Sequence, residues 1–240
     1  MKRILGFVIL YTALLVLAIA FPAFAFENIT PLDVKQKLDA NEDVFILDVR
    51  QPEEYAQGYL PKAYLIPLGE LDQRLNEVPR DKYLIVVCQS GGRSAKASQI
   101  LDDNGYKNVH NMLNGTPAWK NLPEYLCIKA DDLKAQLASL DAFILDVRTT
   151  KEFEKRHIEG VVSIPIDQLS DRRNEIPPDK GIVIIGADND QGTQASKKLI
   201  ELGYKDVKNL EDGMLSWDDA TGVSIEGKLI TTFAAIKTRE

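Results

Sequence analysis

One short segment of the sequence combines a nucleophile, two adjacent glycines and a basic residue. It reads Cys88-Gln89-Ser90-Gly91-Gly92-Arg93-Ser94. The glycines allow the backbone to curl tightly, so that successive N–H groups can point toward one anion. These N–H groups, the N-terminus of a following helix and the nearby Arg93 all favour a thiolate over a thiol. The segment therefore predicts that Cys88 has a depressed pKa and is nucleophilic at neutral pH.

A simpler interpretation of Cys88 also exists. A free cysteine at the end of an apolar strand is most often a small buried hydrophobic residue. The run of Gly, Gly, Arg and Ser after this cysteine favours the catalytic interpretation, because a purely structural thiol has no use for an anion-binding loop.

The flanking sequence predicts the elements that must position this loop. Residues 84–87 are all apolar, as in the buried central strand of a parallel sheet, and residues 94–103 have apolar side chains at helical spacing. The helix is expected to end near Asn104-Gly105, where Gly suits a left-handed cap. A strand, a loop and a helix in this order place Cys88 at the carboxyl end of the strand, where open α/β sheets bind ligands.

The preceding residues continue the alternation of helix and strand. Thr30 is a suitable N-cap and Pro31 a suitable first helical residue for a short helix over residues 32–38. Residues 44–49 then predict a buried strand.

The sequence repeats itself at an offset of 98 positions. The hexapeptide at 45–50 recurs at 143–148, and residues 45–119 share 26 identities in 75 positions with residues 143–217. Such similarity without a gap predicts two copies of one α/β domain. The expected organisation is a signal segment (1–25), a catalytic domain (26–122), a linker (123–126), a second domain (127–222) and a tail (223–240).

The second copy lacks the reactive residues of the loop. Gly186 stands in place of Cys88, Gln191 in place of Arg93, and Asp188 and Asp190 add negative charge where an anion would bind. We therefore expect the second domain to be inactive.

Unlike Cys88 and Arg93, the residues Asp48 and Arg50 are both retained in the second copy. They recur there as Asp146 and Arg148, although that copy has no nucleophile. This pattern favours a structural role for Asp48 and Arg50 over a catalytic one.

Several motifs together resemble the rhodanese family. They are the run from Leu47 to Tyr55, then Gly58, Pro61, Ala63 and Ile66-Pro67, the Cys-x4-Arg loop, Gly115 and Trp119. The resemblance covers residues 29 to 120 and, more weakly, 128 to 217. It implies that each domain is a five-stranded parallel sheet flanked by helices.

The same resemblance implies a chemistry. Cys88 would take sulfane sulfur as a persulfide from thiosulfate or a similar donor and pass it to a thiophilic acceptor such as a thiol or cyanide. Arg93 would bind the anionic oxygens of the donor, within a loop completed by Gln89, Ser90, Gly91, Gly92 and Ser94. No cofactor or metal is required, and a protein thiol is a further candidate partner.

Two other functions use the same residues. One is a non-catalytic module that holds sulfane sulfur or a partner protein. The other is a phosphatase or arsenate reductase; related enzymes of this kind have one residue more between Cys and Arg, and the four residues here favour sulfur.

The N-terminus predicts export. Lys2 and Arg3 precede an apolar run at 4–21, and Ala23-Phe24-Ala25 offers small residues for cleavage. We expect a cleaved secretory signal and a location in the bacterial periplasm; the alternative is an uncleaved membrane anchor. Removing this segment leaves 27 basic against 36 acidic residues, a net charge of −9, which disfavours nucleic acid or an anionic membrane as partner.

The second cysteine, Cys127, opens the second copy. We interpret Cys127 as a buried structural thiol, with a resolving or disulfide-forming role as the alternative. Two cysteines are too few for a disulfide scaffold or a structural zinc site.

Overall fold

A computed structural model describes residues 26–221 and shows two α/β domains in tandem. The expected signal segment and the expected C-terminal tail both lie outside the described residues. Between residues 26 and 221, no helix is both long enough and apolar enough to cross a membrane.

The first domain is a parallel sheet of five strands flanked by helices, as expected, with strand order β1-β5-β4-β2-β3. Its central strand β4 is buried from Leu84 onward, which explains the unbroken apolar run in the sequence. The elements are β1 (Glu27–Ile29), α1 (Pro31–Asp39), β2 (Val44–Asp48), α2 (Pro52–Tyr55), β3 (Ala63–Leu65), β4 (Tyr83–Val87), α3 (Gly92–Asp103), β5 (Val109–Met112) and α4 (Gly115–Lys120).

The ends of the helices follow local sequence signals. Thr30 caps α1: its hydroxyl accepts a hydrogen bond from the Asp33 backbone N–H at 3.2 Å, and the Asp33 carboxylate accepts one from the Thr30 N–H at 2.8 Å. Helix α3 begins at Gly92, two residues before the expected start. The left-handed backbone of Gly91, at φ +94°, turns the chain directly into the helix.

The second domain repeats this architecture with strand order β6-β10-β9-β7-β8. Its first strand begins at Leu126, the last residue of the expected linker. The elements are β6 (Leu126–Ile128), α5 (Ala130–Gln136), β7 (Ala142–Asp146), α6 (Thr150–Lys155), β8 (Val162–Ser163), β9 (Gly181–Ile185), α7 (Asn189–Glu201), β10 (Val207–Leu210) and α8 (Gly213–Thr221).

The two domains are joined by a backbone contact between Tyr59 and Cys127. Each N–H donates to the other residue's carbonyl, at 3.0 and 2.7 Å, which forms an isolated antiparallel bridge. The Tyr59 hydroxyl also donates to Glu211 at 2.7 Å, and Gln136 donates to the carbonyl of Ala56 at 2.9 Å. One hydrophobic cluster extends through both domains. The domains therefore pack against each other, as the short linker predicts.

Buried ion pairs follow strand β2 and its counterpart β7. Asp48 is fully buried and Arg50 almost so, and their side chains are joined by contacts of 2.7–3.0 Å. Arg50 also donates to the carbonyls of Glu54 and Gly58, which ties the end of β2 to the segment around α2. In the second domain the equivalent arginine is bonded in the same way to its aspartate. These contacts support the structural role expected from the repeat.

Replacing Arg50 by Met should lower the free energy of unfolding by about 3–5 kcal/mol, because the Asp48 carboxylate is then buried without its charged partner. Arg148→Met should have a similar effect. Arg74→Met, which removes a partly exposed pair with Glu77, should cost under about 1 kcal/mol. Urea denaturation followed by circular dichroism measures all three. A loss for Arg50→Met no larger than that for Arg74→Met would contradict the structural role.

Candidate active site

Cys88 lies at the carboxyl end of β4, the middle strand of the first sheet. The loop that follows is short, since α3 already begins at Gly92. Gly92, Arg93 and Ser94 consequently lie in the first turn of the helix, and Gln89, Ser90 and Gly91 form the turn before it. This is the sheet edge at which α/β proteins place their ligands, beside a helix N-terminus.

The Cys88 sulfur is buried and surrounded by hydrogen-bond donors. The Gly91 N–H donates to Sγ at 3.1 Å, and the Ser94 hydroxyl lies 3.4 Å from it. Burial by itself raises the pKa of the Cys88 thiol. Hydrogen bonds from the Ser94 side chain and from the backbone of Ser94, Ser90 and Gly91 outweigh burial, so the pKa lies below its ordinary value. The loop thus stabilises a thiolate.

The Ser94 hydroxyl is held in place by a pair of asparagines. Its oxygen lies 2.6 Å from Asn111 Oδ1 and 3.4 Å from Cys88 Sγ, so its single proton can be donated to either acceptor. Asn111 Nδ2 in turn donates to Asn28 Oδ1 at 2.8 Å. Asn111 is buried on β5, next to β4. Asn111 was not among the predicted site residues, although the asparagine is shared with the second copy, where it is Asn209.

Gly115 allows helix α4 to approach the loop closely. Its backbone has φ +61°, and a Cβ on it would lie 2.4 Å from the carbonyl oxygen of Cys88. The neighbouring Thr116 N–H donates to the same oxygen at 2.9 Å. Only glycine fits here, because any side chain would collide with the backbone of the loop. This position recurs as Gly213, which makes the same approach to the second loop.

Arg93 is paired with a glutamate from α2. Its Nη1 and Nη2 donate to the two carboxylate oxygens of Glu54, at 2.6 and 2.7 Å. The hydrogen bonds from Arg93 lower the pKa of Glu54 to about 2, against the opposing effect of burial, so the pair is ionised at neutral pH. Both side chains remain about one-third exposed. The loop motif predicted Arg93 as an anion ligand, but no local pattern indicated Glu54 as its partner.

Some of the other predicted loop residues contact the Cys88 sulfur, and some are exposed at the surface of the loop. The Gly91 N–H donates to Sγ, the Ser94 hydroxyl lies 3.4 Å from it, and the Ser90 backbone contributes to lowering the thiol pKa. Gln89, Ser90 and Gly92 are exposed at the surface of the loop.

The equivalent loop of the second domain, residues 186–192, is packed too tightly to hold a cysteine side chain. A Cβ on Gly186, the counterpart of Cys88, would lie 2.7 Å from the Gly192 backbone nitrogen. The Ala187 N–H donates to Gln191 Oε1 at 2.8 Å, and Gln191 N–H donates to Asp188 Oδ1 at 2.9 Å. The space for a cysteine side chain is therefore taken by the backbone.

A cavity of about 550 Å³ lies beside this second loop. Its lining is dominated by carboxylates: Asp131, Asp188, Glu211 and Asp212 outnumber the single basic residue, Lys129. In the part of the chain that the structure covers, no group of three or more His, Cys, Asp or Glu side chains is arranged to hold a metal ion.

Cys127 lies on β6 at the contact between the domains and is not joined to Cys88 by a disulfide. Burial raises the pKa of the Cys127 thiol, with a smaller contribution from Glu211. A buried, neutral thiol is unreactive, which supports the structural interpretation of Cys127.

Ser94→Ala should raise the pH midpoint of Cys88 alkylation by about one pH unit, because the thiolate loses a hydrogen bond that favours the charged form. Ser98→Ala is the matched control. The Ser98 hydroxyl is buried on the same helix and has no hydrogen-bond partner in the described structure. Alkylation with iodoacetamide, followed by peptide mass spectrometry, separates Cys88 from Cys127. Equal midpoints for wild type and Ser94→Ala would refute the role of this hydroxyl.

Comparison with known proteins gives matches along both domains. The rhodanese-like domain model matches residues 30–122 and 129–220. A protein of Allochromatium vinosum named sulfurtransferase is 38% identical over 86 residues, which cover 36% of this chain and 80% of the relative. Thiosulfate sulfurtransferase GlpE of Pseudoalteromonas translucida is 31% identical over 96 residues, which cover 40% of this chain and 90% of the relative.

Among solved structures, thiosulfate sulfurtransferase from Pseudomonas aeruginosa matches 82% of this chain and 43% of its own, with 26% identity and a TM-score of 0.39. The two segments matched by the domain model span most of the sequence and coincide with the two sheets. The chain therefore belongs to the rhodanese family and contains two tandem rhodanese-like domains.

Proposed function

We propose that the protein is a sulfurtransferase that carries sulfane sulfur as a persulfide on Cys88. The observation that carries this proposal is the convergence of Gly91 N–H and the Ser94 hydroxyl on a sulfur whose thiol pKa is lowered. Such a sulfur is a thiolate at a lower pH than an ordinary cysteine, and thiolates are the nucleophiles in sulfur chemistry. Membership in the rhodanese family supports the same chemistry.

With thiosulfate as donor, the Cys88 thiolate attacks the outer sulfur. A new S–S bond forms to Sγ, the S–S bond of thiosulfate breaks, and sulfite leaves with the bonding electron pair. The donors that stabilise the thiolate also stabilise the anionic persulfide that forms. A thiol or cyanide then takes the outer sulfur and regenerates the Cys88 thiolate.

The buried position of Cys88 adds a condition to this proposal. Since the residue exposes none of its surface, a donor reaches Sγ only when the loop or its neighbours move locally. Arg93 borders the loop and supplies the cation that would draw an anionic donor to it.

The second domain is non-catalytic in this proposal. Its loop has neither a sulfur nucleophile nor an arginine, and the backbone around Gly186 fills the space of a cysteine side chain. The carboxylates around the adjacent cavity would also repel an anionic donor.

Thiosulfate-to-cyanide transfer tests the proposal. Cys88→Ala should abolish thiocyanate formation, and Arg93→Gln should raise the KM for thiosulfate by about tenfold, the loss of one charge-assisted contact. Gln191→Ala, at the position equivalent to Arg93, is the matched control and should change neither parameter. Robust turnover by Cys88→Ala would defeat the mechanism.

Intact-mass measurement after thiosulfate treatment tests the persulfide directly. Wild type and Cys127→Ala should each gain one sulfur atom, and Cys88→Ala should gain none. A stable persulfide that no tested thiol accepts would favour the carrier without catalysis. Hydrolysis of phosphate esters in place of sulfur transfer would favour the phosphatase.

A further inference from the structure

The guanidinium of Arg93 is already occupied by an anion of the protein itself. Both terminal nitrogens of Arg93 donate to Glu54, in the two-bond geometry in which arginine binds carboxylates and other oxyanions. The carboxylate of Glu54 remains ionised well below neutral pH. An oxyanion that binds the terminal nitrogens of Arg93 must therefore displace the Glu54 carboxylate or bind next to it, against its negative charge.

The pairing with Arg93 is separate from the structural task of Glu54. Glu54 accepts a hydrogen bond from the Gln51 N–H at 3.0 Å, which caps the start of α2. In the second domain, Glu152 accepts the same capping hydrogen bond from the Thr149 N–H at 3.0 Å. The position equivalent to Arg93 is Gln191 in that domain, so Glu152 has no such arginine to pair with. The cap therefore does not need an arginine partner, and the ion pair is an additional feature of the first domain.

We propose that Glu54 is a specificity determinant that competes with oxyanions for Arg93, and thereby favours a persulfide over dianionic thiosulfate as sulfur donor. The inference rests on the proposed function. It follows from the sum of charges at the site: the Cys88 thiolate, Glu54 and Arg93 together carry one negative charge. This charge repels the thiosulfate dianion, whereas a neutral persulfide R–S–SH has no net charge for it to repel.

The persulfide reaction needs no oxyanion site. The Cys88 thiolate attacks the outer sulfur of a persulfide R–S–SH, a bond forms between the two sulfurs, and the original S–S bond breaks. The leaving thiol R–SH takes the electron pair and the proton. No group with the shape or charge of sulfite has to be bound or released.

Glu54→Gln tests the competition. Glutamine keeps an oxygen for the Gln51 N–H, so the cap is preserved while the negative charge is lost. We expect the KM for thiosulfate to fall by about fivefold, and the KM for mercaptoethanol persulfide to change by less than about twofold. Glu152→Gln is the matched control, since it alters the same cap in the other domain, and both of its KM values should equal those of wild type.

A binding measurement separates recognition from transfer. In a Cys88→Ala background, which cannot react, Glu54→Gln should tighten sulfite binding by about fivefold in isothermal titration calorimetry. Unchanged sulfite affinity and unchanged thiosulfate KM would overturn the inference. Equal KM changes for both donors would also overturn it, because they would indicate a general effect on Cys88.

The two proposals fail in different ways. Wild-type protein that gains no sulfur on Cys88 from either donor would overturn the proposed function, and the sulfite titration would still decide whether Glu54 competes for Arg93. The specificity inference alone would be overturned if the protein forms the persulfide but Glu54→Gln changes neither its donor preference nor its sulfite affinity.

Discussion

The Cys88 loop depends on hydrogen-bond donors of the protein that replace the water lost by the buried sulfur anion. Burial alone would keep Cys88 as a neutral thiol, and only donors fixed by the protein can reverse that preference. Each donor is positioned by a different element: the left-handed turn at Gly91 orients one N–H, and the first turn of α3 brings the Ser94 hydroxyl to the sulfur. Gly115 then lets α4 pack against the back of the loop. The sheet and helices serve to bring these groups to one point.

Features set by neighbouring residues could be predicted from the sequence, and features set by distant ones could not. The Thr30 cap, the apolar strand before Cys88 and the glycine turn after it all depend on residues within a few positions. The predicted start of α3 is two residues late, because adjacent glycines favour a loop whereas Gly92 is the first residue of the helix.

Two contacts at the site lay beyond such reasoning. Glu54 and Arg93 are 39 positions apart, and Ser94 and Asn111 are 17 apart. Both contacts exist because β2, β4 and β5 lie side by side in the sheet, so they depend on the order of strands and not on a local pattern. The repeat offered an indirect signal for Asn111, whereas nothing in the spacing of Glu54 indicated an ion pair with the loop.

The second domain shows what becomes of this architecture when the sulfur is absent. Asn209 still occupies the place of Asn111, but the residue aligned with Ser94 is Gly192, and the buried Asn209 Oδ1 has no hydrogen-bond partner within the described residues. A Cβ on Gly192 would collide with that oxygen at 1.9 Å. Restoring Cys and Arg alone would thus not rebuild the site, because the backbone of the loop and the packing of the asparagine have also changed.

The second domain nevertheless contacts the segment that carries Glu54. Cys127 holds the backbone of Tyr59, whose neighbour Gly58 accepts a hydrogen bond from Arg50, and Arg50 also donates to the Glu54 carbonyl. The position of α2, and with it the carboxylate that pairs with the loop arginine, is therefore fixed from two sides. The buried ion pair of the first domain fixes it from within, and the bridge to the second domain fixes it from outside. A domain without a nucleophile can in this way contribute to the geometry of the site in its neighbour.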